Sequence, residues 1–419
     1  MENKAAAFGR AHQSPLTRFV HLFDGEPRLD AIPVYENFCF ALALMRLKTM
    51  EGVQEGKQLF ERLFPFQAGS QYLWAGHFPL YLHDYPRCYS PVQSLRIAPV
   101  LQILLKHFSH VLDAAFKERA CAVLQALIAS AKSRRNEKPF EPLWERRYQA
   151  ILGQAMPMAG AQTSAEWGEE LITNQLLGLS SHEILRLVHP NLGVYVGPGF
   201  QEGQPQGSLL EACVSHTAPS ACMPLLELAL LDPPITSWPC WSGHVNGWRI
   251  CQRPEDALGF AEQLLPGSER MALRYFWKGK NQLHSLMIPT GKCGVAIEEK
   301  ENGVQVLFDL QESNPEDLFE TMVFCDISDE TQILVNQKKA TLFLPGDEVS
   351  IHTPDRIIRL TFAIHEGSGD FCGHISRSNR PVQRKDDGYE AFDWRIALRT
   401  LRRSQFLLLS LNVSFSLIK

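Results

Sequence analysis

The stretch Ile97–Ile128 reads IAPVLQILLKHFSHVLDAAFKERACAVLQALI and decides the fold of the first half of the chain. Its apolar residues recur three and four positions apart in two successive runs: Ile97, Leu101, Leu104, Leu105, Phe108 and Leu112, then Phe116, Ala120, Val123, Leu124, Leu127 and Ile128. This spacing places one apolar stripe on each of two helices. The stretch therefore predicts a pair of amphipathic helices.

The same pattern occurs on both sides of this pair. Apolar stripes at helical spacing precede and follow it: Val34, Phe38, Leu42 and Met45; Leu59, Phe60, Leu63 and Phe64; Leu143, Trp144, Tyr148 and Ile151; Trp167, Leu171, Ile172 and Leu176. Ser164 is the predicted N-cap of the last helix. Repeated helix pairs are typical of a helical-hairpin array, as an open solenoid or an incomplete α/α toroid. An irregular helical domain is the alternative.

Beyond residue 268 the apolar period changes from helical spacing to two. Asn302-Gly303 lies between two alternating segments and is a strong hairpin signal. The predicted strands are Ala272–Trp277, Leu283–Ile288, Gly294–Glu298, Val304–Leu310, Glu320–Cys325, Ile333–Asn336, Ala340–Leu344, Glu348–His352, Ile357–His365, Phe371–Ile375 and Phe406–Val413. Short strands separated by turns predict an antiparallel β-sandwich.

These patterns predict an α+β multidomain protein. A chain of 419 residues exceeds the size at which one hydrophobic core stops growing. The predicted divisions are a helical domain at 1–190, a connecting region at 191–268 and the β-sandwich at 269–419. Glycine and proline punctuate the connecting region, which shows little periodicity.

Composition limits the classes of partner. The net charge of −5 argues against nucleic acid, although Arg395, Arg399, Arg402 and Arg403 form a local basic face on an amphipathic segment. The absence of an apolar leader and of a long apolar run predicts a cytoplasmic protein with no membrane partner. The ten cysteines form no C-x-x-C pair and no histidine spacing suits zinc, so we expect neither a metal nor another cofactor.

Polar and aromatic residues concentrate in the loop Tyr72–Tyr89, which reads YLWAGHFPLYLHDYPRCY. Aromatic faces bordered by hydrogen-bonding groups suit sugars, and a tyrosine, a histidine and an arginine can move protons and neutralise a carboxylate. The predicted catalytic residues are Tyr81, His83 and Arg87, and the predicted substrate-binding residues in this loop are Trp74, His77 and Tyr85. The alternative is that the loop closes the helical domain with internal contacts.

A second polar and aromatic cluster, Trp238–Arg249, reads WPCWSGHVNGWR. Its predicted substrate-binding residues are Trp241, His244 and Arg249. Because binding residues collect where periodic structure is interrupted, we expect this cluster and the loop 72–89 to line one interdomain groove. The alternative is that the tryptophans seal one domain onto the other.

Two further arrangements remain open from sequence alone. Glycosidases need two carboxylates across a bond, and the helical half offers Asp84, Glu141, Glu145 and Glu169 without indicating which of them are neighbours. The glycine-rich stretch 366–380 contains His374, Arg377, Asn379 and Arg380, which either hold an anion or belong to a solvated loop.

The helix pairs from Val34 to Val188, the strands from Ala272 onward and the loop Gly76-His-Phe-Pro-Leu-Tyr81 resemble the heparinase II/III-like polysaccharide lyases. Those enzymes combine an α/α toroid with β-sandwich domains. The resemblance is architectural, covers most of the chain and transfers no catalytic motif residue by residue. It implies a lyase that cleaves an acidic polysaccharide or oligosaccharide by β-elimination.

The residues thus predict a carbohydrate-active protein. For β-elimination, Arg87 would neutralise the uronate carboxylate, and His83 and Tyr81 would act as base and acid. The alternative is a non-catalytic binding or scaffold protein that holds a peptide or glycan. A third hypothesis is glycoside hydrolysis on a helical toroid.

Overall fold

The computed structural model describes residues 2–23, 30–161, 163–185, 187–189, 194–195, 208–214, 223–231, 242–245, 248–253, 258–263, 272–278, 283–289, 294–300, 302–310, 319–325, 331–354, 356–377 and 394–418. The chain divides into two compact units. The helical unit comprises Met1–Val188, Gly193–Tyr195 and Pro205–Pro239, and the sheet unit comprises His189–Leu192, Val196–Gln204 and Cys240–Lys419.

The helical unit contains the α-helices of the described residues. They are α1 Glu2–His12, α2 Val34–Met45, α3 Met50–Leu63, α4 Val92–Phe108, α5 Ala114–Glu137, α6 Pro142–Ile151, α7 Ser164–Leu177, α8 His182–Leu185 and α9 Leu209–Val214. Short 3₁₀ helices lie at Phe64–Phe66, Leu82–Asp84, Ser109–Val111 and Met223–Leu230. The predicted helical first half of the chain is confirmed.

Helix α2 is the centre of this unit. All of its residues are buried except Glu36, so it is covered on every side. It packs against α3, where a Cβ atom added to Gly56 would lie 2.6 Å from the Ala41 carbonyl oxygen. The glycine allows two helix backbones to approach closely, and the apolar stripes of both helices are buried by that approach.

Helix α7 begins one residue earlier than its apolar pattern indicates. The N-cap is Thr163, and not Ser164 as the sequence predicts. The Thr163 hydroxyl accepts a hydrogen bond from the Glu166 amide, and the Glu166 carboxylate accepts one from the Thr163 amide. This capping box satisfies two amides and fixes the start of a helix that contributes to the candidate site.

The described strands comprise two short pairs and two larger groups. The short strands are β1 Leu22–Phe23, β2 Asp30–Ala31, β3 Val188–His189 and β4 Val194–Tyr195. The others are β5 Ser242–Val245, β6 Trp248–Arg253, β7 Leu258–Gln263, β8 Ala272–Lys278, β9 Leu283–Pro289, β10 Gly294–Lys300, β11 Gly303–Asp309, β12 Phe319–Cys325, β13 Gln332–Val335, β14 Leu342–Phe343, β15 Glu348–His352, β16 Arg356–Glu366, β17 Gly369–Arg377, β18 Trp394–Arg403 and β19 Leu408–Leu417.

Within the described part of the sheet unit, the strands form two antiparallel sheets. One has the order β10-β11-β19-β16-β15-β13, and the other has the order β14-β17-β18-β12-β9-β8-β7-β6-β5. Alternate residues of β11, including Val306 and Phe308 of the first sheet, are buried in one apolar cluster with Val323 and Ile396 of the second. The predicted antiparallel sheet region is confirmed.

Two segments differ from their sequence interpretation. Strands β5, β6 and β7 lie within residues 191–268, the predicted connecting region, and they pair in order with β8. The amphipathic segment after Trp394 is strand β18, hydrogen-bonded between β12 and β17. Long-range pairing decides both segments, because a polar alternating run forms a strand only where neighbouring strands supply partners.

Among the described helices, none combines the length and the apolar character that crossing a lipid bilayer requires.

Candidate functional site

The guanidinium of Arg96 on α4 holds two carboxylates from distant parts of the helical unit. Its Nη2 atom donates to Glu227 Oε1 at 2.6 Å, and its Nε atom lies 2.9 Å from Glu169 Oε1. The guanidinium carbon lies 4.1 Å from the centre of the Tyr35 ring, a cation–π contact. These four side chains, Tyr35, Arg96, Glu169 and Glu227, are the acidic cluster of the unit.

Four elements position the acidic cluster. Tyr35 is on the buried helix α2, Arg96 on the first two turns of α4, Glu169 on α7 and Glu227 on the 3₁₀ helix Met223–Leu230. That 3₁₀ helix packs against both α2 and α4. The residues from Leu225 to Leu230 are all buried, which draws the carboxylate of Glu227 into the interior.

Glu169 is held from its other side by Arg147 of α6. Arg147 is 1% exposed, and its Nη2 atom lies 3.0 Å from Glu169 Oε2. Its Nε atom donates to the Thr173 hydroxyl at 2.7 Å. One carboxylate thus pairs with two arginines, which fixes its position at the edge of the cluster.

The electrostatics of the cluster favour protonation of Glu227. The pKa of Glu227 is raised to about 7, mainly by burial and also by the negative charges of Glu169 and Glu36, while the positive charge of Arg96 opposes the shift. Burial also raises the pKa of the neighbouring Glu36 carboxyl. An acid with a pKa near neutrality can donate or accept a proton under ordinary conditions.

A cavity of about 490 Å³ opens beside the cluster within the helical unit. Its volume is in the range of small-molecule sites. The polar side chains on its wall are Arg96, Glu141, Glu166, Glu169, Ser208 and Glu227, and its apolar wall includes Leu143, Trp144 and Leu209. The wall combines carboxylates, a hydroxyl and an aromatic side chain, so it can hydrogen-bond a polyhydroxylated or cationic ligand and pack against its apolar face.

The predicted catalytic residues Tyr81, His83 and Arg87 are not on the wall of this cavity. The Tyr81 and His83 rings stack with centres 5.5 Å apart and an angle of 5° between their planes. His83 Nε2 lies 3.8 Å from the Asp84 carboxylate. His83 and Arg87 are both exposed. The structure thus brings Tyr81 and His83 together, and their catalytic role stays a prediction.

The predicted binding residues of the same loop make mostly internal contacts. His77 is 1% exposed, its Nδ1 atom lies 2.5 Å from the Ser94 hydroxyl, and burial lowers its pKa to about 4. The Arg134 guanidinium lies 4.1 Å from the Trp74 ring centre. Tyr85 is partly exposed and packs edge-on against Phe66 and Tyr72.

Residues of the second predicted cluster are described only in part. Trp241 lies outside the described residues. His244 in β5 and Arg249 in β6 are directly opposite each other in the antiparallel register, and only their backbone is described. The expectation of one groove lined by this cluster and by the loop 72–89 stays a prediction.

Sequence reasoning missed the convergence of the acidic cluster. The sequence offers Glu169 as one of several carboxylates without indicating its partner, and no motif distinguishes Arg96 or Glu227. The available signal was one charged residue inside an apolar run: Glu227 in the sequence MPLLELALL and Arg96 in the sequence SLRIAPVL. A charge in such a place is usually paired, but its partner lies far away in sequence.

Among the described residues, no group of three or more histidine, cysteine, aspartate or glutamate side chains has an arrangement that could hold a metal ion. Comparison with known proteins found no matching family model and no matching curated sequence.

Proposed function

We propose that this chain is a carbohydrate-active protein that hydrolyses a glycosidic bond in the cavity of its helical unit. The observation behind the proposal is the position of Glu227 and Glu169 on the wall of one cavity, joined through the same arginine. Two carboxylates in different environments are the usual equipment of glycosidases. Trp144 on the same wall provides an aromatic surface of the kind that sugar rings pack against.

In this mechanism Glu227 protonates the leaving oxygen while the glycosidic C–O bond breaks. The pKa of Glu227, raised to about 7, keeps a useful fraction of the side chain protonated near neutral pH. Glu169 carries the negative charge that stabilises the developing positive charge on the sugar, and it either activates water or attacks directly. Arg147 and Arg96 hold Glu169 in place for that role.

The test is to incubate the purified protein with a panel of polysaccharides and aryl glycosides and to measure reducing-sugar release. We expect Glu227→Gln to lower the rate by roughly a hundredfold or more on a substrate with a sugar leaving group. The loss should be smaller on a nitrophenyl glycoside, because its leaving group needs no protonation.

The matched control is Glu118→Gln, which removes an exposed carboxylate of α5 outside the cavity wall and should leave the rate nearly unchanged. Equal losses in both variants would contradict an acid role for Glu227. Ligand retention without any turnover would support the non-catalytic binding hypothesis, in which the protein holds a glycan or a peptide.

The lyase hypothesis is the second proposal, and the stacked rings of Tyr81 and His83 favour it. Both residues lie in one loop with the exposed Arg87, so an acid, a base and a cation lie within seven residues of chain. An acidic polysaccharide would be cleaved with formation of an unsaturated product that absorbs ultraviolet light. A flat absorbance trace over a panel of uronate-containing glycans would refute this proposal.

We also propose the finer architecture. Successive helices pack in the pairs α2–α3, α4–α5 and α6–α7, which supports an incomplete α/α toroid. One apolar cluster contains residues of both large sheets, which supports a β-sandwich. Both are the architectures of the lyases that the sequence resembles. Nucleic acid and membrane are not among the proposed partners.

A further inference from the structure

Three strands of the sheet unit bring basic and polar side chains onto one face. Arg395 and Arg399 are four residues apart on β18, so they point to the same side of the strand. Ser376 of β17 is the cross-strand partner of Arg395, and His374 is the partner of the intervening Ala397. Antiparallel cross-strand partners share a face, so Ser376 adjoins Arg395, and His374 lies diagonally next to both arginines, whose Cα atoms are about 13 Å apart along the strand.

The internal contacts of this group leave donors unused. Arg395 Nη2 lies 3.1 Å from His374 Nε2, and Arg399 Nη2 donates to Glu320 Oε1 at 3.0 Å. The Nε atoms of Arg395 and Arg399 and the hydroxyl oxygen of Ser376 are buried and have no hydrogen-bond partner among the residues that the structure describes. Buried donors without an acceptor are costly, and several in one place indicate where an acceptor belongs.

The charge of the group has the sign that attracts an anion. Among the described residues of these three strands, the two arginines share their face with one carboxylate, Glu320. Burial and the neighbouring positive charge of Arg395 lower the pKa of His374 below its ordinary value. The charge of Arg399 also lowers this pKa, and the negative charge of Glu320 raises it. The Arg399 side chain is 38% exposed, so solvent and a ligand can reach the group.

We propose that Arg395, Arg399, Ser376 and His374 form a binding site for a tetrahedral oxyanion, either phosphate or sulfate. Such an ion presents several acceptor oxygens, which match the unused Nε atoms of the arginines and the Ser376 hydroxyl. A guanidinium binds oxyanions with parallel hydrogen bonds, and a partly desolvated one binds them more tightly than a fully hydrated one. The proposal concerns the sheet unit and is independent of hydrolysis in the helical unit.

The test is isothermal titration calorimetry of the full chain with inorganic phosphate and with sulfate, at an ionic strength held constant with chloride. We expect saturable binding of at least one of the two ions. Arg395→Gln and Arg399→Gln should each raise the Kd roughly tenfold, since a charge-assisted hydrogen bond contributes on the order of one factor of ten. Ser376→Ala should also raise the Kd, but by a smaller factor than either arginine variant, because it removes a neutral hydrogen-bond donor.

The matched control is Arg402→Gln, which removes one positive charge from an exposed position on the same strand. Its Kd should stay within about twofold of the unmodified chain, because only long-range charge is lost. Thermal melting of every variant checks folding, and Ser376→Ala provides the test if an arginine variant does not fold.

A titration with phenyl phosphate tests whether the site accepts a phosphate ester as well as the free inorganic ion. Binding of both compounds indicates an open site that accepts a phosphate or sulfate group on a larger molecule, and binding of the inorganic ion alone indicates a closed one. The proposal is overturned if neither phosphate nor sulfate binds, or if Arg402→Gln weakens binding as much as Arg395→Gln and Arg399→Gln do.

Discussion

The helical unit and the sheet unit differ in how their charged side chains are paired. In the helical unit, buried charges meet partners of opposite sign: Arg146 with Glu170, Arg147 with Glu169, and Arg96 with Glu169 and Glu227. In the described part of the sheet unit, Arg395 and Arg399 share a face with one acid, Glu320, so positive charge is in excess there. The first arrangement pairs its charges between helices, whereas the second has an excess positive charge that the proposed oxyanion would neutralise.

The secondary structure explains part of this difference. Helix α2 is buried all round, so polar groups next to it are largely shielded from water and are stabilised by pairing with each other. A strand such as β11 buries only alternate residues, and its other face is partly solvated. A charge at the edge of a sheet face can therefore stay partly hydrated, whereas a charge enclosed between helices depends more on a partner of opposite sign.

Breaking the most deeply buried pair of the helical unit should have the largest effect. Arg146 and Glu170 are almost completely buried, and Arg146 also donates to Asn174 at 2.7 Å. We expect Arg146→Met to lower the free energy of unfolding by about 3–5 kcal/mol, since it leaves an unpaired buried carboxylate. Urea denaturation measures the change.

The double variant Arg146→Met with Glu170→Leu should recover part of that loss. Recovery is expected to be incomplete, because Glu170 also accepts a hydrogen bond from the Ala159 amide at 2.9 Å. A single variant as stable as the unmodified chain would show that the pair contributes little and would remove the contrast between the units.

The close approach of α2 and α3 supplies a second test of helix packing. A Cβ atom at position 56 would lie 2.6 Å from the Ala41 carbonyl oxygen and from the Met45 side chain. We expect Gly56→Ala to destabilise the protein by about 1–3 kcal/mol, despite the better helix propensity of alanine. The control is Gln58→Ala on an exposed position of the same helix, which should change the melting temperature little. Equal melting temperatures of both variants would mean that the helices separate without cost.

The acidic cluster should give the protein a characteristic pH dependence. The pKa of Glu227 rises from 4.5 in an ordinary environment to about 7 in the folded chain. Between those pH values the folded protein binds more protons at Glu227 than the unfolded chain does, so the contribution of Glu227 to stability falls as the pH rises through this window. The slope is at most about 1.4 kcal/mol per pH unit.

Denaturation of the unmodified chain and of Glu227→Gln at pH 5 and pH 7 isolates this contribution. The free energy of unfolding should fall more between the two pH values in the unmodified chain, because glutamine does not titrate. Arg96 opposes the effect, and Glu169 and Glu36 reinforce it. Parallel pH profiles of the two proteins would contradict the assigned environment of Glu227.

An exposed ion pair should give the smallest effect and sets the scale for the others. Arg119 Nη2 lies 2.7 Å from Glu61 Oε1, with side chains 56% and 31% exposed. We expect Glu61→Gln to change the free energy of unfolding by less than about 1 kcal/mol, because water screens the pair. A loss comparable to that of Arg146→Met would indicate that burial does not distinguish strong pairs from weak ones in this unit.

Much of the fold was accessible from local sequence patterns. The stripes at Val34–Met45 and Ile97–Ile128 predicted helices that the structure contains as α2, α4 and α5, and Asn302-Gly303 marked the turn between β10 and β11. The segment beginning at Trp394 was not predicted as a strand, since its interleaved arginines suit either a helix or a strand surface. Only its pairing with β12 and β17 decides between them.

The sequence by itself determined which residues face a core, because the periods of helices and strands are set by local backbone geometry. It also supplied the aromatic loop 72–89 and the basic residues of β18. The tertiary structure alone decided which charges meet. Arg96 and Glu227 are 131 positions apart, and their contact depends on how a 3₁₀ helix packs against α2 and α4. No local period encodes such a contact, since its free energy arises from burial and pairing between segments that become neighbours only on folding.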